Sequence, residues 1–94
     1  MKHEAPKHIA VDVDGTLLDA QGRLQSSVVD WCADKIGEGY TLMLWSSRGA
    51  AYALQIAEEN GVSYLFQNIV SKPGIILDDR GTSWMRFVRV LRPS

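Results

Sequence analysis

Ninety-four residues, 46% of them hydrophobic, make one small domain, residues 1–94, with a single core and little apolar material to spare. A formal net charge of −1 excludes a global field that would recruit nucleic acid or an anionic membrane. The single cysteine excludes an internal disulfide, and no apolar run approaches a signal peptide or membrane span, so the expectation is a cytoplasmic protein in a reducing compartment.

Residues 1–7 are polar, contain Pro6, and read as a flexible arm; His3 and His8 with Glu4 nearby are scattered surface groups in preference to a metal site. The first strand is expected over Ile9 to Val13. Side chains two apart in a strand point to the same side, so Asp12 and Asp14 aim at one point at its C-terminal end. Two such carboxylates repel unless a divalent cation or a shared proton joins them. Asp14-Gly15 on its own is also a common hairpin dipeptide.

Residues 15–25, with Gly15, Asp19 and Gly22 around Leu17, Leu18 and Leu24, predict a tight turn or small hairpin over the strand end. Ser26 or Ser27 is the expected N-cap of a helix in which Val28, Trp31, Cys32, Lys35 and Ile36 recur at helical spacing, with Gly37 and Gly39 ending it. Cys32 within that pattern reads as a buried thiol. The continuous apolar run Tyr40 to Trp45 predicts a strand buried on both faces of a parallel sheet. Ser46, Ser47, Arg48 and Gly49 follow it. A second helix is expected from Ala50 to Glu59, closed by Asn60-Gly61. Short strands are expected at Tyr64 to Phe66 and at Gly74 to Leu77, the latter leading into Asp78-Asp79. A last segment, capped by Thr82 or Ser83, places Trp84, Phe87, Val88 and Leu91 at helical spacing; Val88 to Val90 also alternates as an edge strand does. Arg80, Arg86, Arg89 and Arg92 make this end basic, which reads as a solvated face.

Strand, helix, strand, helix, strand, strand is the order of an α/β protein with a doubly wound parallel sheet. Ligands of such sheets bind beyond the carboxyl ends of the strands. Three sets of polar residues therefore line one crevice: Asp12 with Asp14, Ser46 to Gly49, and Asp78 with Asp79. Four carboxylates there imply a hard cation, magnesium. The hydroxyls and the N–H groups of Ser47 to Gly49 at the start of the second helix supply an anion site. Cation, anion site and a nucleophilic carboxylate together are the parts of phosphoryl transfer.

On these residues the sequence resembles the haloacid dehalogenase-like hydrolase superfamily. Asp12-Val13-Asp14-Gly15-Thr16 after an apolar strand is similar to its first motif, Ser46 to its second, Lys72 in Ser71-Lys72-Pro73 to its third and Asp78-Asp79 to its fourth. The resemblance implies a Rossmann-like core with the first strand central. It makes Asp12 the nucleophile, Asp14 the general acid/base, Ser46 a phosphoryl ligand and Lys72 the cation that holds aspartate and phosphate. Magnesium would be held by Asp12, the Asp14 backbone carbonyl and Asp78, with Asp79 direct or through water.

Gln67 to Gly74 span at most about 28 Å, enough to cross three strand spacings of roughly 14 Å in all. Were Lys72 to Asp78 fully extended, however, Lys72 would stand up to roughly 20 Å from Asp78, so the chain must bend at Pro73-Gly74 for it to act. Arg48 is the substitute cation, poised between clamping a phosphate and pairing with a carboxylate. Trp45 and Trp84 read as packing residues in preference to substrate platforms.

Residues 15–25 and 67–74 are too short to hold the cap domain that many members of the superfamily carry. The expected site is open, and an open site cannot by itself exclude water. The expectation is a phosphorylated substrate that is large, a macromolecule or polymer end (a polynucleotide end among them), or a lid supplied by a neighbouring subunit. The reading is a magnesium-dependent phosphatase of phosphate monoesters, with a phosphotransferase and a non-catalytic phosphate- and magnesium-binding module as alternatives. A receiver-type signalling domain is disfavoured because Asp78-Asp79 follow the nucleophile instead of preceding it.

Overall fold

The structure, a computed structural model, describes residues 6–79 and Leu91. His3, Glu4, Trp84 and the whole of the basic, amphipathic end other than Leu91 lie outside the described residues. Three strands and two helices alternate: β1 (His8–Asp12), α1 (Ser26–Gly37), β2 (Thr41–Ser46), α2 (Ala50–Glu59) and β3 (Asn68–Ser71), with a 3-10 turn at Ser63–Leu65. The strands form one parallel sheet in the order β1-β2-β3, with Asp12 opposite Trp45 and Trp45 opposite Val70. This is the Rossmann-like α/β architecture expected from the sequence.

Both helices contribute to one core. Val28 and Cys32 from α1 and Ala53 and Ala57 from α2 join Val11, Val13, Leu42 and Leu44 of the sheet, with Leu65 and Phe66 from the 3-10 turn closing one end. At roughly 1.5–3 kcal/mol for each large apolar side chain removed from water, this cluster is what holds the elements together. Burial along β2 alternates, with Leu42, Leu44 and Ser46 buried and Thr41, Met43 and Trp45 only partly so. The expectation that this strand is buried on both faces is corrected: among the described residues both helices' core residues meet the Leu42–Leu44 side.

Other local expectations are corrected as well. The N-cap of α1 is Gln25, not Ser26 or Ser27, and it makes no side-chain cap bond. Its amide donates instead to the Thr16 carbonyl at 2.8 Å, and its backbone N–H to Leu17 O at 2.9 Å, tying the helix start to the loop after β1. Tyr64 to Phe66 is not a strand; the 3-10 turn occupies it, and the third strand lies four residues later at Asn68–Ser71. Gly74 to Leu77 forms no strand, and Ile75 and Leu77 are 90% and 100% exposed. Without that strand β1 is an edge, not the centre, of the described sheet. The 18–24 hairpin is present, with Leu18 bridging Leu24. No described helix is long and apolar enough to cross a membrane.

Candidate functional site

β1 delivers its carboxylates as the residue alternation requires. Val11 and Val13 are buried in the core, so Asp12 and Asp14 take the other side, Asp12 partly buried and Asp14 exposed. Beyond Asp12 the chain turns sharply: Leu17 N–H donates to Asp12 O at 3.1 Å and Leu18 N–H to Val13 O at 2.9 Å, with Gly15 at φ +82°. That turn buries Leu17 and Leu18 and leaves Asp14 on the rim.

Three elements meet around Asp14. The Tyr52 hydroxyl, from the first turn of α2, donates to Asp14 Oδ1 at 2.8 Å. Arg48 Nη1, from the turn between β2 and α2, lies 3.7 Å from the same oxygen. The guanidinium also stacks on the Tyr52 ring, 3.8 Å from its centroid. The hydrogen bond to Asp14 raises the Tyr52 phenol above its ordinary range, so it stays protonated and serves as a donor. Sequence reading missed Tyr52 because an aromatic at helical spacing reads as core; Tyr52-to-Asp14 contact spans 38 residues and has no local signature. Arg48, open between phosphate and carboxylate from the sequence, pairs with a carboxylate here.

The turn after β2 is internally bonded. Ser46 is 1% exposed and its Oγ accepts from Arg48 N–H at 3.0 Å. Gly49 N–H donates to Ser46 O at 3.1 Å, and Ala50 N–H to Ser71 Oγ at 2.9 Å. The N–H groups of Arg48 and Gly49, expected to cradle an anion, are thus committed to the fold. Ser47 is exposed at the turn. Two cationic side chains, those of Arg48 and Lys72, stand at this edge.

Lys72 stands directly after β3, at the same end of the sheet as Asp12 and Ser46, because the strand is Asn68–Ser71 and the chain bends at Gly74. Its side follows that of Val70, hence of Trp45 and Asp12 in the row across the sheet. Its ammonium lies 5.6 Å from the centroid of the Trp45 ring. The structure brings Asp12, Asp14, Arg48, Tyr52 and Lys72 to one end of the sheet but leaves Asp78 and Asp79 in an exposed segment without regular structure. No group of three or more acidic, histidine or cysteine residues converges among the described residues, so the expected four-carboxylate centre is not assembled. The donor chemistry of Asp12 and Asp14 still suits magnesium, which ordinarily takes one or two protein carboxylates and fills its shell with water and substrate phosphate. The site is open: Asp14 and Arg48 side chains are 50% and 61% exposed. A shallow concavity of about 220 Å³ lies elsewhere, at the opposite end of β2 beside Ile36, Tyr40 and Tyr64.

No curated protein and no solved structure matches the chain. A family model described as haloacid dehalogenase-like hydrolase matches residues 9–85, from the first residues of β1 past Asp79. A match over that much of the chain establishes that it belongs to the haloacid dehalogenase-like hydrolases.

Proposed function

We propose that this hydrolase is a magnesium-dependent phosphatase of phosphate monoesters that carries the phosphoryl group on Asp12. The observation that supports it is the division of labour at the end of β1: Asp12 partly buried as the last strand residue, Asp14 on the rim with Oδ1 held by Tyr52. In the first step an Asp12 oxygen attacks phosphorus and the bond from phosphorus to the leaving oxygen breaks. Asp14, as the carboxylic acid, gives that oxygen its proton. In the second step the Asp14 carboxylate takes a proton from water, whose oxygen attacks the same phosphorus. The Asp12–phosphorus bond breaks, inorganic phosphate leaves, and both aspartates return to their starting states.

Arg48 and Lys72 offset charge on the transferring oxygens. Arg48 exchanges a half-exposed contact with Asp14, worth little in water, for a bidentate grip on phosphate. The Asp12 carboxylate and the Asp14 backbone carbonyl would hold magnesium, with Asp78, and Asp79 directly or through water, completing the protein's share of the shell. The bound ion supplies charge neutralisation at the phosphoryl oxygens. The rim exposure of Asp14 and Arg48 supports a large phosphorylated substrate or a lid from a second subunit. A cytoplasmic setting, suited to the unpaired Cys32, belongs to the same proposal.

The test is release of the aryl alcohol from a generic aryl phosphate, with and without magnesium, by the natural chain and by Asp12→Asn. Magnesium-dependent turnover that the variant lacks is the expected result. No turnover by the natural chain, with phosphate and magnesium still bound in calorimetry, would replace the enzyme by a binding module.

A further inference from the structure

We propose that Tyr52 is a positioning residue serving both halves of this site: its hydroxyl fixes the Asp14 carboxylate and its ring face seats the phosphate-binding Arg48. The inference rests on the phosphatase reading and extends it to a residue that neither motif nor spacing marks. Neither Asp14 nor Arg48 is held in place by its own surroundings. Both side chains are at least half exposed, and at 3.7 Å their ion pair is too weak to hold either in one rotamer. Asp14 sits in a turn between β1 and the 18–24 hairpin, and Arg48 in the turn before α2. Each needs an anchor on a rigid element.

Tyr52 is on such an element. α2 is pinned at its start by Ala50 N–H on Ser71 Oγ and by Ala53 N–H on Gly49 O at 3.1 Å, and Ala53 is fully buried in the core. From that base the partly buried ring offers its face to the guanidinium at 3.8 Å and its hydroxyl to Asp14 at 2.8 Å. The stack orients the Arg48 plane without consuming its N–H donors, which stay available for phosphate oxygens. Both contacts to Asp14 fall on Oδ1. Oδ2 has no hydrogen bond among the described residues, which leaves that oxygen to carry the proton in the proposed reaction. A functional group held by locked neighbours keeps the small tolerances that proton transfer and in-line attack need.

The two halves separate by substitution. Tyr52→Phe keeps the ring under Arg48 and removes the bond to Asp14; Tyr52→Leu removes both. With an aryl phosphate and magnesium, Tyr52→Phe is expected to lower kcat by roughly ten- to a hundredfold, the range of a misplaced catalytic group, with KM within twofold. Tyr52→Leu is expected to lower kcat similarly and to raise KM by roughly tenfold, the size of one charge-assisted contact to phosphate. Because the hydroxyl acts through Asp14, adding Tyr52→Phe to Asp14→Ala should cost nothing further in kcat. Circular dichroism and melting curves check that each variant folds.

An unchanged kcat in Tyr52→Phe, or a full additional loss on the Asp14→Ala background, would overturn the role of the hydroxyl. Equal KM in Tyr52→Leu and the natural chain would overturn that of the ring. Were the natural chain inactive, the phosphatase reading would fail separately, and calorimetry with inorganic phosphate would decide the seat: weaker binding by Tyr52→Leu but not by Tyr52→Phe supports it, and equal binding by all three overturns it.

Discussion

The backbone N–H of Lys72 donates to the carbonyl of Ser46 at 2.9 Å, joining the residue after β3 to the last residue of β2. One hydrogen bond therefore fixes the lysine at the carboxyl end of the sheet, the end at which Asp12 closes β1. Its ammonium rests over Trp45, whose neighbour across the sheet is Asp12. If this cation serves phosphoryl transfer, Lys72→Ala should lower kcat/KM for an aryl phosphate by about 10²–10³-fold, the range found on removing one donor to a developing oxyanion. Lys72→Arg should recover part of the loss. Steady-state kinetics at fixed magnesium checks both; activity within threefold of the natural chain for Lys72→Ala would assign the cationic role to Arg48 alone.

Lys72 owes its place to β3, an element with little local signal in the sequence, whereas other parts of the fold have one. The Asp12–Asp14 pair, both helices and the 18–24 hairpin were legible because each has a local cause: alternation, helical spacing, or Gly15 and Gly22 at positive φ. The third strand was not. Tyr64 to Phe66 is apolar because Leu65 and Phe66 cap the core from a 3-10 turn, with Tyr64 75% exposed, and apolarity reports burial without reporting strand pairing. Asn68–Ser71, with polar ends, gave no such signal, yet it pairs along β2 from Met43 to Ser46. Gly74 to Leu77 reads as a strand because it too is apolar, and here apolarity reports neither burial nor pairing: Ile75, Ile76 and Leu77 lie exposed. The cluster of Asp14, Arg48 and Tyr52 was illegible in part because hydroxyl and carboxylate meet only through the packing of α2 on the sheet.

Gly49 stands at φ 107° and ψ 161°, a region that is essentially glycine's own. A Cβ there would meet Ser71 Oγ at 3.9 Å, an ordinary contact, so the constraint is the backbone and not space. Gly49→Ala is expected to cost about 1–3 kcal/mol of stability. Gly37, at the end of α1 with open space around it, has no positive φ, and Gly37→Ala should gain up to about 0.5–1 kcal/mol. Urea unfolding of the two variants checks the contrast, and equal midpoints would contradict it.

Asp19 organises the 18–24 hairpin that follows the turn after β1. Its Oδ1 accepts the backbone N–H groups of Gln21 and Arg23, each at 2.9 Å, and its Oδ2 meets Arg23 Nε at 3.3 Å. Foremost the Arg23 backbone N–H, helped by that of Gln21 and by the guanidinium, holds the carboxyl below its ordinary value of 3.8, against a desolvation second in size to the Arg23 bond. A depressed folded pKa contributes stability present above the unfolded value and lost as pH falls through the folded one. The natural chain should therefore lose more stability than Asp19→Asn between pH 5 and pH 2, bounds chosen at roughly one to two units either side of that carboxyl range. Asparagine keeps an oxygen for the two N–H groups and removes the titration. Parallel losses in urea titrations at the two pH values would contradict the assignment.

Cys32 is fully buried beside the core residues of the sheet, and desolvation pushes its thiol up to about 11. Reaction with a thiol reagent needs thiolate and access. At pH 8 a group titrating near 11 is roughly one part in a thousand ionised, and α1 must also open for the reagent to arrive. Labelling of the folded chain is therefore expected to be slow and to follow opening of the core, with its rate rising as urea is added below the unfolding transition. In full denaturant the same sulfur should react at the rate of a free cysteine. Rapid, stoichiometric labelling of the folded protein without urea would mean that the contact of α1 with β2 is not a stable part of the core.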